Sequence, residues 1–501
     1  MHSWMEVLDQ WHQGIVYPRW AALAQYGYGE ARFIFYPPAS WILGAALGAV
    51  LPWRVVPGAY VWVALTLSAC SMFLLARRWL DRRDAIFAAF LYAANPYYIL
   101  VIYWRSAFAE LLAGALLPLL VLWVLRVDDE KWDAALPLTL VVAGGWLTNA
   151  PAAVMVSYSL VLLASVMAMA QRSPKVLAYA ASALLMGAAL AAFYIVPASY
   201  EQKWANIGQV LAPGVRPEDN FLFTTIYDPD HTRFNLLVSL MAAAEIAVLA
   251  VATVRARRRL PNQSLLWWTL VSWSLLAVLL MFSPSHAAWE QFPLLRFLQL
   301  PWRWLLCLNV SLAVFIVMAW RRWWWRAGVY VSMLAVLLVV SRHTQPPWWD
   351  NAVEVAKLLG QHRIGVGYEG TDEYVPAGAD PYDVSRDGPL VTADGGTAQV
   401  QVHTWAPESK YFTVVAGQPG NLVLRLFNYP AWQVMVNGRA VETESQENTG
   451  QMIIPVQAGE SQVQITLERT WDRRVGGSVS GMAALGIAGL AVFRQKRPRR
   501  P

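Results

Sequence analysis

The sequence has little charge and almost no cysteine. Only 14% of its 501 residues are Asp, Glu, Lys or Arg, whereas 57% are hydrophobic. A soluble protein needs more charge on its surface, so this shortage excludes an ordinary soluble domain and predicts many membrane spans. Cys70 and Cys307, the two cysteines, fall in apolar segments far apart in sequence. This excludes a disulfide framework and a cysteine-based metal site, and it predicts buried free thiols.

Several functional signatures are also missing. The sequence contains no P-loop, no Rossmann glycine pattern and no serine nucleophile elbow, so we expect no nucleotide-driven chemistry. We find no nucleic-acid-binding motif either, and we attribute the net charge of +6 to cytoplasmic anchors. No two histidines have a helical ligand spacing such as HExxH. We therefore predict no metal site and assign no cofactor. The sequence does not exclude a divalent metal. The histidines are His2, His12, His231, His286, His343, His362 and His403.

Long apolar runs and 27 tryptophans dominate what is present. A membrane-spanning helix needs about 20 mostly apolar residues, and indole rings favour the membrane–water interface. We predict about eleven spans on this criterion. They lie near residues 57–76, 84–102, 110–126, 134–149, 152–170, 176–197, 234–254, 264–283, 300–320, 325–341 and 474–493.

Basic segments predict the orientation of these spans. If the spans alternate, all the basic segments fall on one side, which the positive-inside rule makes cytoplasmic. Residues 1–56 are then external, and the short run 40–51 is expected to be an interfacial helix. An external N-terminus with no helix before it leads us to expect a missing first helix or an unaided translocation. The basic segments are 77–83, 126–131, 171–175, 255–259, 321–326 and 494–500.

Residues 342–473 lose the long apolar runs and show short alternating segments instead. Alternation with a period of two between Gly, Pro and Asn is typical of antiparallel strands, and Asn437-Gly438 suits a hairpin turn. We predict an external β-sandwich here, either a positioning module or a sugar-binding module. The last span and the basic tail, residues 474–501, would anchor this domain, and residues 57–341 would form the multi-span domain.

An ordered set of stretches resembles a bacterial membrane family known as 6-pyruvoyl-tetrahydropterin synthase-related. Its members are similar to C-type (GT-C) glycosyltransferases, in which an acidic external loop follows the first transmembrane helix. The resemblance implies a polytopic GT-C-like fold, with the first helix apparently absent here. The stretches are YPRW (17–20), FYPP (35–38), NPYYILVIYWRSAFAELLA (95–113), LTNAPAA (147–153), FYIVPASYE (193–201), LQLPWRWL (298–305), GTDEYVPAG (370–378) and NYPAWQVMVNG (428–438).

The implied reaction moves a sugar from a polyprenyl-phosphate donor to an envelope glycan or protein acceptor, outside the bacterial inner membrane. Such chemistry needs a carboxylate base and cations for the departing phosphate. Asp9 is the best-placed base, with Glu6 and Glu110 as further candidates. We expect five cationic or polar side chains to bind the substrate or its phosphate. They are His2, Arg19, Tyr36, Arg105 and Arg303.

Structural interpretations of these residues remain open. Asp9 could be solvated on an amphipathic helix, Arg105 and Glu110 could pair with each other, and Arg19 and Arg303 could be interface anchors. Glu245 lies inside an apolar run, where an ionisable group indicates a functional role by default. The structural alternative is a protonated, hydrogen-bonded side chain. The alternative functions are a flippase or transporter of lipid-linked glycans and a non-catalytic envelope assembly factor. The donor sugar, the acceptor, the stereochemistry and the oligomeric state cannot be predicted.

Overall fold

The protein is described from a computed structural model over residues 1–130, 132–258, 264–348, 351–394 and 398–495. Its α-helices in chain order are α1 (His2–His12), α2 (Arg32–Phe35), α3 (Pro38–Val50), α4 (Val56–Ala76), α5 (Arg82–Ala93), α6 (Pro96–Leu100), α7 (Phe108–Ala113), α8 (Leu116–Glu130), α9 (Trp132–Thr148), α10 (Ala150–Gln171), α11 (Lys175–Leu190), α12 (Ala192–Glu201), α13 (Pro229–Arg257), α14 (Ser264–Leu280), α15 (His286–Gln291), α16 (Leu305–Ala319), α17 (Trp323–Thr344), α18 (Ala352–Arg363) and α19 (Trp471–Gln495).

The β-strands all lie between α18 and α19. They are β1 (Val391–Asp394), β2 (Ala398–Ala406), β3 (Ser409–Ala416), β4 (Gly420–Phe427), β5 (Trp432–Val436), β6 (Arg439–Val441), β7 (Glu444–Ser445), β8 (Gln451–Val456) and β9 (Gly459–Leu467).

The chain divides into two compact units, each built from separate stretches of sequence. The sheet unit comprises Met1–Pro57, Ala192–Gln209 and Asp350–Ser480. The helical unit comprises Gly58–Ala191, Val210–Trp349 and Gly481–Pro501.

Apolar helices of spanning length confirm a polytopic helical membrane protein. Seven helices of the described residues are long and apolar enough to cross a membrane, and two bent helix pairs raise this number to nine. The seven are Trp53–Ala76, Arg82–Arg105, Phe108–Val127, Ala150–Gln171, Pro229–Arg257, Pro301–Ala319 and Trp323–Thr344. The bent pairs are Lys175–Leu190 with Ala192–Trp204 and Leu265–Leu280 with Ser283–Gln291.

Helix α16 lies at the centre of the helical unit. Its most apolar window is buried throughout, and α5, α13 and α14 pack against it. A helix that is apolar all round needs such surroundings, because every face must be covered by protein or lipid. Cys307 on α16 is buried as predicted, whereas the expectation for Cys70 was wrong: its side chain is exposed on the surface of α4.

The segment Thr148-Asn149-Ala150-Pro151 joins α9 to α10. The Asn149 side chain caps α10 by accepting a hydrogen bond from the Ala152 N–H at 2.9 Å. Pro151 sits in the first turn of α10, where its missing N–H costs nothing. Lys131, Arg259 and residues 496–500, which belong to three of the basic segments, lie outside the described residues.

Two antiparallel sheets confirm the predicted sheet domain in the sheet unit. One sheet has the strand order β1-β4-β8-β7 and the other the order β2-β3-β9-β5-β6. Inward residues of both sheets, such as Phe412, Leu424 and Ile454, belong to one hydrophobic core. Asn437 and Gly438 have φ values of 49° and 75°, as the predicted hairpin turn between β5 and β6 requires.

Candidate functional site

In the helical unit, three charged residues predicted for the site lie together. Arg105 Nη1 donates to Glu110 Oε2 at 2.6 Å, and Arg303 Nε donates to the same oxygen at 3.1 Å. The Tyr97 hydroxyl donates to Glu110 Oε1. Only 1% of Glu110 is exposed, so its carboxylate sits in a protein interior with a donor on each oxygen. We call Tyr97, Arg105, Glu110 and Arg303 the Glu110 cluster.

A break in the helix before α7 brings the first half of this cluster together. The Asn95 side chain caps α6, and residues Val101–Arg105 then form a short π-helix. Ser106 follows with φ of 48°, a left-handed conformation that stops the helix and turns the chain. The turn places Arg105 against Glu110 at the start of α7. The predicted spans 84–102 and 110–126 leave Ser106 between them, but they did not foresee the π-helical turn, a feature that is frequent at functional sites.

Arg303 comes from the short 3₁₀-helix Pro301–Trp304, immediately before α16. Its Nη1 donates to the carbonyl of Leu298 and, at 3.3 Å, to Gln299 Oε1. The Trp302 ring covers Arg105, whose guanidinium carbon lies 4.6 Å from the ring centroid. The cluster thus brings two guanidinium groups together, and arginine is the residue whose planar fork suits a phosphate.

Glu6 and Asp9, the predicted carboxylates of the first loop, lie in the sheet unit and differ in their exposure to solvent. Glu6 is buried, and it accepts hydrogen bonds from the Leu23 N–H at 2.7 Å and the Tyr368 hydroxyl at 2.6 Å. Burial raises the pKa of Glu6 to about 7, and those two hydrogen bonds lower it only in part. Asp9 remains 54% exposed on α1, and its Oδ2 lies 2.5 Å from His362 Nε2. Asp9 is therefore open to solvent, whereas Glu6 is held in place by its hydrogen bonds.

His2, Arg19 and Tyr36, the other predicted binding residues, also lie in the sheet unit. The His2 ring stacks on Tyr368 at 4.3 Å, and burial lowers the pKa of His2 to about 4. The Arg19 guanidinium packs over the Tyr17 ring at 4.3 Å, and burial lowers the pKa of Arg19. Tyr36 ends α2, and its carbonyl accepts a hydrogen bond from Trp41 Nε1. The contacts of His2 and Arg19 are those of anchored side chains, whereas this contact of Tyr36 is made by its backbone.

A cavity of about 340 Å³ adjoins Asp9 in the sheet unit. Its walls include Asp9, Gln10, His362, Trp405 and Lys410. Lys410 is 2% exposed, and it donates to the carbonyls of Ala406 at 2.6 Å and Pro407 at 3.0 Å. Burial lowers the pKa of Lys410 to about 7.

Sequence reasoning missed the contributions of His362 and Lys410. The sequence does mark Lys410, because alternation along β3 places it on the same inward face as Phe412, Val414 and Ala416. A lysine at an inward strand position is unusual and indicates a specific environment. His362 had no comparable signal, since it lies on α18 outside any recognisable motif.

Glu245, the predicted intramembrane acid, is fully buried on α13 in the helical unit. Its Oε2 accepts a hydrogen bond from Asn309 Nδ2 at 2.9 Å, while Oε1 has no hydrogen-bond partner within the part of the chain that the structure describes. An ionisable group at this depth is costly, so its environment is specific.

One group of described residues could hold a metal ion, although the sequence predicted none. Ligand atoms of Glu218, His286 and Glu290 lie within 4.8 Å of one another. Arg296 Nη2 donates to Glu218 Oε1 at 2.8 Å. A guanidinium therefore already neutralises this carboxylate, and the group resembles a surface ion-pair network.

The family model described as the 6-pyruvoyl-tetrahydropterin synthase related domain, a membrane protein, matches residues 33–346. The chain belongs to this family. The match contains the whole Glu110 cluster and Glu245, whereas Asp9, His362 and Lys410 lie outside it. Comparison with curated proteins and with solved structures gives no match.

Proposed function

We propose that this protein is a membrane glycosyltransferase of GT-C type. It moves a sugar from a polyprenyl-phosphate donor to an acceptor hydroxyl of an envelope glycan or protein. The acceptor oxygen attacks the sugar carbon, the bond from that carbon to the phosphate oxygen breaks, and a carboxylate takes the hydroxyl proton. The lipid phosphate leaves with the negative charge.

The observation that supports this proposal best is the convergence of Arg105 and Arg303 on Glu110. Residues from two distant stretches supply cations beside apolar helices of spanning length. A phosphate carried on a lipid lies at headgroup depth, where such helices end. Arginine suits it because the planar guanidinium donates two parallel hydrogen bonds to phosphate oxygens.

We assign the remaining roles from each unit separately. Glu110 accepts donors on both oxygens, so it positions the two arginines instead of taking a proton. Asp9 is the base, since it is exposed and His362 holds its carboxylate. His2, Arg19 and Tyr36 support the first external loop around it.

We further propose the full topology and location that the sequence predicts. The seven helices, the two bent pairs, α9 and α19 account for eleven spans, with the basic segments in the cytoplasm. The two sheets pack face to face as a sandwich on the periplasmic side of a bacterial inner membrane. The shared hydrophobic core of the two sheets supports that packing.

The test is a transfer assay in membrane vesicles with a radiolabelled polyprenyl-phosphate sugar. Removing one donor to a developing charge costs about 100- to 1,000-fold in rate, so we expect this loss in Arg105→Ala and Arg303→Ala. Arg233→Ala is the matched control, because Arg233 is an exposed arginine of the same unit. Parental rates in both cluster variants would reject the enzyme and favour an assembly factor, for which the Glu110 cluster is only an ion pair.

A further inference from the structure

The cavity beside Asp9 carries polar atoms that the fold leaves without partners. Gln10 is 1% exposed, and its Oε1 has no hydrogen-bond partner among the described residues, whereas its Nε2 donates to the Trp20 carbonyl at 3.0 Å. The His362 side chain is 10% exposed, and its Nδ1 likewise has no partner among those residues. Both residues line the cavity. Buried polar atoms of folded proteins nearly always have a partner, so these two indicate a ligand.

Both atoms accept hydrogen bonds. The Gln10 oxygen can only accept. When His362 is neutral and donates from Nε2 to Asp9, its Nδ1 is the accepting nitrogen of the ring. The ligand must therefore present hydrogen-bond donors to this wall, which an unprotonated phosphate or carboxylate cannot do.

The other side chains of the cavity require acceptors and an apolar face. Lys410 uses two of its three hydrogens on carbonyl groups. Arg363 and Arg425 add two further cations to the lining, which also contains the carboxylates of Glu6 and Asp9. An ammonium ligand could not accept a hydrogen bond from these cations. Trp405 supplies an aromatic ring, and the volume of about 340 Å³ falls at the small end of small-molecule sites, roughly 300–1,000 Å³.

We propose that this cavity binds a saccharide. Hydroxyl groups donate to Gln10 and His362 and accept from Lys410, while a sugar ring presents its C–H face to Trp405. Each of these groups belongs to the sheet unit, so binding requires no lipid-linked donor and no transfer. The inference therefore goes beyond the proposed glycosyltransferase and can hold even when that reaction does not.

The experiment is a binding titration of the full-length protein in a detergent without a sugar headgroup. The probes are soluble oligosaccharides of glucose, galactose and N-acetylglucosamine, with choline and inorganic phosphate as the competing ligand classes. We expect at least one oligosaccharide to bind, and we expect His362→Phe to weaken its Kd about tenfold by removing one buried partner. Trp405→Ala, which removes the aromatic face and leaves Gln10, His362 and Lys410 in place, should weaken it as well.

His403→Phe is the matched control, because His403 is an exposed histidine of the same unit that packs on Tyr411 away from the cavity lining. Its saccharide Kd should equal that of the parent. Three outcomes would overturn the proposal: no oligosaccharide binds, choline or phosphate binds instead, or His403→Phe loses as much affinity as His362→Phe. A protein that binds saccharide but shows no transfer would contradict only the proposed enzyme.

Discussion

Glu110 Oε2 lies 3.1 Å from Arg303 Nε, although the two residues are 193 positions apart in the chain. Arg105 shares the same oxygen, so this carboxylate neutralises charge from two segments inside the helical unit. Removing one partner of a buried pair leaves an uncompensated charge, which costs about 3–5 kcal/mol. A substitution in this buried pair should therefore destabilise the protein, whether or not the pair also serves catalysis.

We expect Glu110→Gln to lower the free energy of unfolding by about 3–5 kcal/mol, measured in detergent or in bicelles. The double variant Glu110→Gln with Arg303→Gln should recover part of this loss, since it also removes the Arg303 guanidinium that the single variant leaves without its carboxylate. Glu290→Gln serves as the control because Glu290 is half-exposed in the same unit. An additive double variant would show that Glu110 and Arg303 do not interact.

A second buried pair makes a parallel prediction for the sheet unit. Arg473 donates to both oxygens of Glu201, at 2.7 and 2.8 Å, and the Tyr429 hydroxyl donates to the same carboxylate. We expect Arg473→Ala to destabilise this unit by about 3–5 kcal/mol in thermal or chemical unfolding. The adjacent Arg474 is exposed, so Arg474→Ala should stay within about 0.5 kcal/mol of the parent. Equal stability of the two variants would contradict the assigned pairing.

Glu6 predicts a specific pH dependence of stability. Its pKa rises from 4.5 to about 7 on folding, chiefly because burial disfavours the charged form. Between these values the folded state binds more protons than the unfolded state, so this contribution to stability falls as the pH rises through the window. The full loss is about 3 kcal/mol above pH 7.

The measurement compares apparent melting temperatures of parent and Glu6→Gln from pH 4 to 8. The amide stays neutral, so the variant should lack this fall, and the difference between the two curves should change with pH. Glu447→Gln, at an exposed loop position, should follow the parent. Parallel curves for Glu6→Gln and the parent would show that Glu6 does not titrate in this window.

The sequence predicted the elements of this protein better than its site. Alternation gave most of the strands of the two sheets, and Asn437-Gly438 marked a hairpin that the φ values confirm. Two short strands, β1 and β7, were missed because two to four residues give no readable period. Apolar runs identified the spanning helices, but hydropathy has no signal for the π-helical break before Ser106.

The sequence named Arg105, Glu110 and Arg303 as candidate residues and left a pair between Arg105 and Glu110 open. It did not predict the contacts of Tyr97 and Arg303 with Glu110. Asp9 was chosen for its position in the first loop alone. Its partner His362 could not have been found, since the pairing depends on how α1 and α18 pack in the sheet unit. Long-range packing of this kind leaves no local pattern.

Glu245 offers a test that separates charge from shape. We expect Glu245→Gln to fold with the stability of the parent, since the amide oxygen still accepts from Asn309 and no proton is needed. Glu245→Ala should lose about 1–3 kcal/mol by leaving Asn309 without this partner. Ser274→Ala, which removes a polar group within α14, is a useful control. A stable Glu245→Gln variant with slow transfer would give the carboxyl a functional role, whereas parental transfer would reduce it to a structural one.

The proposed orientation predicts opposite labelling at two exposed arginines. Cys70 and Cys307 are first replaced by Ala, which leaves a background without cysteine. Arg439→Cys, in the hairpin beside Gly438, should react with a membrane-impermeant maleimide in intact spheroplasts, because we place the sheets outside. Arg257→Cys, at the end of α13 and within the basic segment 255–259, should react only after permeabilisation, because positive loops face the cytoplasm. Arg439 stands in for Gly438 since φ of 75° at the glycine would strain any other residue. Labelling of Arg257→Cys in intact spheroplasts would reverse the topology and remove the periplasmic acceptor from the proposed reaction.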